Sequence, residues 1–212
     1  MSPGFDPECR ECSRLSAFLD EVQLEHPDYF CRPVPAFGDP DARLLIVGLA
    51  PGKHGANATG RPFTGDYAGV LLYQTLYDFG LSTAPESVDA ADGLELINCR
   101  ITNAVKCLPP DNKPTTEEIR TCNSYLADEL SHLPPDSVLI ALGSIAHNAI
   151  LRAKGLRLSS CKFGHGHTHE LPGDLVMIDS YHCSRYNTQT RRLTAPMFRD
   201  VFHKAQELLA RT

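Results

Sequence analysis

The chain has 212 residues, 42% of them apolar, and a formal net charge of −6. That length buries one sizeable core and is short for two, and the apolar share excludes a disordered chain. The acidic balance argues against a broadly basic nucleic-acid coat but leaves room for a local basic patch.

The N-terminus, "MSPGFDPECREC", is followed by no apolar run, and no stretch approaches the roughly 20 apolar residues of a membrane helix. A cytosolic, monomeric protein with no membrane contact is expected, formed by a single domain over 1–212. Cys9 and Cys12 stand two residues apart in "CREC", a spacing that lets both sulfurs face one metal. Next come "RLLIVGL" (43–49), a continuous apolar strand, and a Gly-, Pro-, Asn- and Thr-rich loop, "GLAPGKHGANATGRPFTGD" (48–66). A helix is predicted over 68–81, stopping at Gly80, and 81–93 reads as a solvated surface insertion. "LINCRITNAV" (96–105) is the second strand. Cys107 and Cys122 flank a Pro-rich loop and the start of a helix over 115–133, capped by Thr115 or Thr116. A third strand (137–143), a helix (144–155), a fourth strand (174–182) and a closing helix (195–212) complete the pattern.

Apolar strands alternating with helices predict an α/β fold whose parallel sheet is covered on both faces. Ligands of such folds bind beyond the carboxyl ends of the strands, so the loops after Leu49, Val105, Gly143 and His182 converge on one site. Eight cysteines without a leader point to metal or redox chemistry rather than disulfides. Cys9, Cys12, Cys107 and Cys122 suit zinc or an iron–sulfur cluster, with inert buried thiols as the alternative. Cys31, Cys99, Cys161 and Cys183 lack ligand spacing and read as core or surface thiols. The 48–66 loop is not a P-loop. Three residues, not four, separate Gly48 from Gly52, and His54 rather than Ser or Thr follows Lys53. His165, His167 and His169 alternate in "FGHGHTHE", so on a strand they face one side and could bind zinc. A surface hairpin before the last strand is the favoured reading, since no water-activating acid accompanies them.

"GLAPGKHGANATGRPFTGD", "ITNAVKCLPPDNKPT", "LGSIAH" and "YHCSRYNTQTRRLT", with the four cysteines, span nearly the whole chain. In order and spacing they resemble the iron–sulfur uracil-DNA glycosylases, most closely the type B group, family five of the superfamily. The resemblance implies a three-layer α/β/α sandwich around a mainly four-stranded parallel sheet. It also implies a structural [4Fe–4S] cluster on Cys9, Cys12, Cys107 and Cys122. The activity implied is hydrolysis of the N-glycosidic bond of deaminated bases flipped from DNA: uracil, and in this group deaminated purines such as hypoxanthine and xanthine.

By the same resemblance, Phe63 stacks on the base, Asn103 reads its edge, and the backbone around Ala50 and Gly52 completes the pocket. His182 stabilises the departing anion. Ser144 and Ser184 suit phosphate contacts. Arg185, Arg191 and Arg192 form the basic patch, and Tyr186 fills the gap the base leaves. Related groups hold the water with a polar residue where this chain has Ala50. Asn57 and then Asp66 are the nearest substitutes, although Asp66 also reads as a helix cap. The chain departs from the group at Cys183, usually Pro, and Ala58, usually Arg, which puts substrate preference in question. A non-catalytic iron–sulfur DNA-binding or redox module is the competing reading. It would not need Phe63, Asn103 and His182 together at strand ends.

Overall fold

The computed structural model describes residues 4–211; the closing residue of the predicted last helix, Thr212, lies outside them. Four parallel strands form the centre of one sheet: β2 (Leu44–Gly48), β3 (Cys99–Asn103), β4 (Val138–Leu142) and β6 (Leu175–Ser180). Each lies inside one of the four strands expected from the sequence. Two antiparallel edge strands, β1 (Phe37–Gly38) and β5 (Thr168–Leu171), extend the sheet to six in the order β1-β3-β2-β4-β6-β5.

Period-two alternation divides each central strand between two cores. From β2, Leu44 and Ile46 join the cluster that packs under α3 (Tyr67–Asp78) and α7 (Ala195–Leu209). Leu45 and Val47 join the cluster under α4 (Thr116–Ser131) and α5 (Ser144–Ala153). This burial on both faces is why β2 and β4 read as unbroken apolar runs. Thr115 caps α4 in a reciprocal capping box with Glu118.

The remaining helices escape sequence pattern. The helix α1 (Ser13–Glu25) follows Cys12 with no side-chain cap, and α2 (Ala56–Thr59) and α6 (Arg185–Gln189) are single turns. The solvated insertion expected over 81–93 is partly corrected. Most of it is exposed, but Leu81, Ser82 and, just beyond it, Leu94 are buried. Ser87 and Asp92 reach back to grip Arg61.

One ion pair lies inside the protein beneath the end of β3. Lys106 is fully buried, and its ammonium donates to Glu129 Oε1 at 2.8 Å, to Oε2 at 2.9 Å, and to the Thr102 hydroxyl. Removing one partner strands the other charge in a medium of low polarity. Glu129→Ala should therefore cost about 3–5 kcal/mol of stability, read as a lower urea midpoint. Replacing both partners (Lys106→Met with Glu129→Leu) should return most of that loss. A double variant no more stable than the single one would refute this account of the pair.

Candidate active site

Beyond the carboxyl ends of the parallel strands lies a cavity of about 530 Å³. Its floor is a three-way contact over Gly48, the last residue of β2. A side chain there would collide with Asn103 Oδ1 and the Phe63 ring. Phe63 is buried with a left-handed backbone (φ 56°), unusual for a residue with a side chain. Several anchors hold that conformation. The Tyr73 hydroxyl donates to the carbonyl of Pro62 at 2.8 Å. Gly69 lacks the Cβ that would strike the Phe63 carbonyl. Arg61 donates to Thr64 Oγ1 at 2.9 Å, Ser87 Oγ at 2.6 Å and Asp92 at 2.5 Å. Partial burial opposes ionisation of Asp92, but Arg61 and the backbone N–H groups of Leu94, Val88 and Asp89 outweigh it and hold the carboxyl well below its usual range.

His182 follows β6. Its ring faces Phe63 with centroids 5.9 Å apart and planes 26° apart, and its carbonyl accepts from Asn187 Nδ2 at 2.8 Å. Burial pushes its pKa down to about 4, so the imidazole is neutral at neutral pH. Asn103 Oδ1 and His182 Nδ1 are both buried without a hydrogen-bond partner. Buried polar atoms are rarely left unpaired, so two of them in one cavity mark where a ligand's polar edge belongs. Local sequence does not bring them together, since 79 positions separate them (182 − 103). Parallel register does.

The structure brings Ala50, Gly52, Phe63, Asp66, Asn103, Ser144, His182, Ser184, Arg185 and Tyr186 to this one cavity. The order of Asn57 ahead of Asp66 is not supported. Asn57 is buried outside the lining, where its amide donates to Cys31 Sγ at 3.4 Å. Asp66 does line the cavity. It stands at the N-cap position of α3 but makes no side-chain cap bond to that helix. Instead its carboxylate accepts from the backbone N–H of Ala56 at 3.1 Å and lies against Gly52 and Gly55. Burial raises its pKa.

At the mouth, the Arg185 guanidinium sits 4.7 Å from the Tyr67 ring centroid, and Tyr186 is 70% exposed. Arg191 is absent from the lining, and Arg192 lies over Tyr181 instead. Sequence reasoning missed Tyr67 and Asn112, which also line the cavity.

The alternating histidines do not form a ligand face. β5 begins only at Thr168, after His165 and His167. His165 stacks on Tyr181 and accepts its N–H at 3.1 Å. His169 donates to buried Asp179 at 2.9 Å, as does His147 at 2.7 Å. The favoured hairpin reading matches the observed β5–β6 pair.

A second, smaller cavity is lined by Cys9, Cys12, Cys107 and Cys122 together with Leu15, Pro33 and Tyr125. The helix α4 carries Cys122 back beside Cys107, and α1 starts directly after Cys12. The Lys106 N–H donates to Cys122 Sγ at 3.2 Å. Burial, then the neighbouring thiols, raise the Cys107 pKa, and burial pushes Cys122 up to about 11. A bound cationic group would favour the thiolate forms and relieve both. Among the described residues, His147, His169 and Asp179 place donor atoms within 4.8 Å of one another, an approach their hydrogen bonds already account for. The four thiols share one cavity.

Comparison with known proteins agrees with this geometry. The Uracil DNA glycosylase superfamily (UDG) matches residues 35–206. A Type-5 uracil-DNA glycosylase of Thermus thermophilus is 50% identical over 205 residues, covering 94% of this chain and 93% of that protein. One from Pyrobaculum aerophilum is 42% identical over 93% of this chain and 87% of its own length. A Type-4 uracil-DNA glycosylase of Sulfurisphaera tokodaii is 30% identical over 79% of this chain and 72% of its own. With the match spanning both the sheet and the cavity above it, the chain belongs to the uracil DNA glycosylase superfamily.

Proposed function

We propose that this protein is a DNA-repair hydrolase that takes uracil, flipped out of DNA, into the Phe63 cavity and hydrolyses its N-glycosidic bond. The observation that carries this reading is the pair of buried, unpartnered atoms, Asn103 Oδ1 and His182 Nδ1, on two residues that line one aromatic-walled cavity. A pyrimidine presents a flat face to Phe63, an imide N–H to Asn103, and a carbonyl oxygen to a donor on His182.

As the glycosidic bond breaks, negative charge gathers on the departing base and positive charge on the sugar. A neutral imidazole suits the first, because it donates a hydrogen bond at the oxygen where charge develops without first surrendering a proton. The second is answered by Asp66. Its carboxylate lies against Gly52 and is the acidic group in the cavity lining, and it stabilises the cationic sugar and orients water, while Asn57 lies too deep to do so. The roomy cavity also supports an extension to deaminated purines. Ser144, Ser184, Arg185 and Tyr186 meet the DNA at the mouth. Arg191 lies outside the lining and is left to backbone contact further along the duplex. The protein acts as one domain over 1–212 and as a monomer.

Cys9, Cys12, Cys107 and Cys122 are proposed to hold a [4Fe–4S] cluster, a reading supported by their shared cavity and by the cysteine pattern of the resemblance. When bound, the cluster is a structural staple that ties the N-terminal segment to the 107–122 excursion, remote from the bond that is cut. No helix among the described residues is long and apolar enough to cross a membrane.

His182→Ala should slow single-turnover excision of uracil by about 10²–10³ while DNA affinity changes little. A variant that cleaves at the wild-type rate would end the proposed electrostatic role.

The neutrality of His182 can be checked by titration. An unfolded histidine binds its proton near about 6.5, so the folded group, held near 4, contributes stability that is whole above about 6.5 and falls away as pH drops toward 4. Nitrogen NMR of the ring should show no protonation step between about pH 8 and about pH 5.5. A midpoint near the ordinary value would mean the ring is solvated.

Purified anaerobically, the protein should be brown and carry iron and sulfide. Cys107→Ala should lower both the iron content and the melting temperature, while Cys183→Ala should leave the iron unchanged. A colourless protein holding stoichiometric zinc would refute the cluster.

A further inference from the structure

The strand that delivers His182 loses its neighbours before it reaches the cavity. On one side β6 pairs with β4 as far as Ser180, opposite Leu142, and Gly143 then turns away with a positive φ of 95°. On the other side the β5 register runs to Ile178, opposite Thr168. Two more backbone bonds extend it, from Asp179 N–H to the His167 carbonyl at 2.9 Å and from Gly166 N–H to the Asp179 carbonyl at 2.8 Å. Gly166 has a positive φ of 77°, and there the neighbouring chain bends away. The next amide on that edge, Tyr181 N–H, is met by a side chain instead. It donates to His165 Nδ1 at 3.1 Å.

That nitrogen accepts only while it is unprotonated, so the ring carries its hydrogen on Nε2. Burial lowers the His165 pKa against the opposing pull of the Met197 backbone and of Asp200, both on α7, and so keeps the lone pair available at neutral pH. The ring also stacks on Tyr181, with centroids 5.0 Å apart and planes 15° apart. The loop that carries it is fixed on both sides. Gly164 N–H donates to buried Asp179 Oδ2 at 3.0 Å, and the Gly166 carbonyl accepts from Lys204 Nζ at 2.8 Å.

His182 needs support of this kind. Its buried Nδ1 has no partner, so the ring takes its aim from the backbone beneath it and from the Phe63 face. After the ring, Asn187 Nδ2 holds the His182 carbonyl. Before it, His165 holds the N–H of Tyr181. The two bonds grip the short stretch of backbone on either side of the residue whose imidazole must meet the base. Placement matters at this point, because a donor that misses the developing charge by about 1 Å loses much of its effect.

We propose that His165 is a positioning residue, whose Nδ1 accepts Tyr181 N–H and thereby holds the backbone that aims His182 at the departing base. The inference rests on the glycosylase reading above and deepens it, but its first readout does not depend on that activity.

Two substitutions separate the hydrogen bond from the packing. Asparagine places an amide oxygen where Nδ1 stands but has no ring. Phenylalanine keeps a ring against Tyr181 but has no acceptor. Hydrogen exchange at the Tyr181 amide should quicken roughly tenfold in His165→Phe and stay near wild type in His165→Asn. Single-turnover excision of uracil at saturating protein should slow roughly tenfold in His165→Phe, and His165→Asn should recover most of that rate. Affinity for a duplex carrying 2′-fluoro-deoxyuridine, which resists excision, should change little in either. In a His182→Ala background, His165→Phe should slow excision no further. A role in packing alone predicts the reverse order, with phenylalanine tolerated and asparagine damaging. That order, equal losses in both variants, or additive losses with His182→Ala would each overturn the proposal. Wild-type protein that fails to excise uracil would instead overturn the glycosylase reading.

Discussion

Phe63 and Asn103 meet only because residue 48 has no side chain. A Cβ on Gly48 would occupy the space that both groups need. The rest of the site is arranged around that approach. Parallel register sets Gly48 beside Asn103, and the left-handed backbone at Phe63 lays its ring across the same point. His182, arriving from a strand two places away, closes the far side by stacking near that ring. The sheet supplies the positions of three strand ends, and glycine supplies the room for their side chains to converge.

Holding Phe63 in an unfavourable backbone conformation requires support from outside its own loop. It comes from Arg61, whose partners Ser87 and Asp92 lie more than twenty residues further on. The connection between α3 and β3 is thus a brace for the aromatic wall, although most of its surface faces solvent. The cysteine-lined region plays a comparable part on the other side. Its helix α1 supplies Arg14 to the turn before α4, and α4 supplies Glu129 to Lys106 beneath β3. Groups that line the cavity depend here on contacts made by segments lying outside it.

Much of this was legible in the sequence. Strands β2 and β4 read most clearly, because burial on both faces leaves no polar alternation to blur them. The short cysteine pair and the strand-end residues Asn103 and His182 were also visible, through motif and spacing. Burial itself was not. Asn57 and Asp66 are both small polar residues in one loop, and only the fold shows that Asn57 turns inward to Cys31 while Asp66 reaches the cavity. The helix α1 escaped because it lacks a side-chain cap, and the Arg61 brace because its partners are distant in sequence. The alternation of His165, His167 and His169 suggested one strand face, but the strand starts after two of them. Asn112 lay inside one of the motifs, but nothing in its turn-forming surroundings marked it as lining the cavity.

The two antiparallel edges bear on how this protein behaves in a crowded cell. A parallel sheet that ended at β3 and β6 would leave two long rows of free N–H and C=O groups, a template for pairing with another chain. Here β1 is only two residues long and ends at Gly38, whose backbone lies so close to Cys99 that no side chain fits. On the opposite side, β5 spans four residues and leaves Thr168 and charged Glu170 exposed. Neither border offers the length or flatness that strand addition requires. The same irregular edges that blur the sequence pattern keep the sheet from recruiting copies of itself into aggregates.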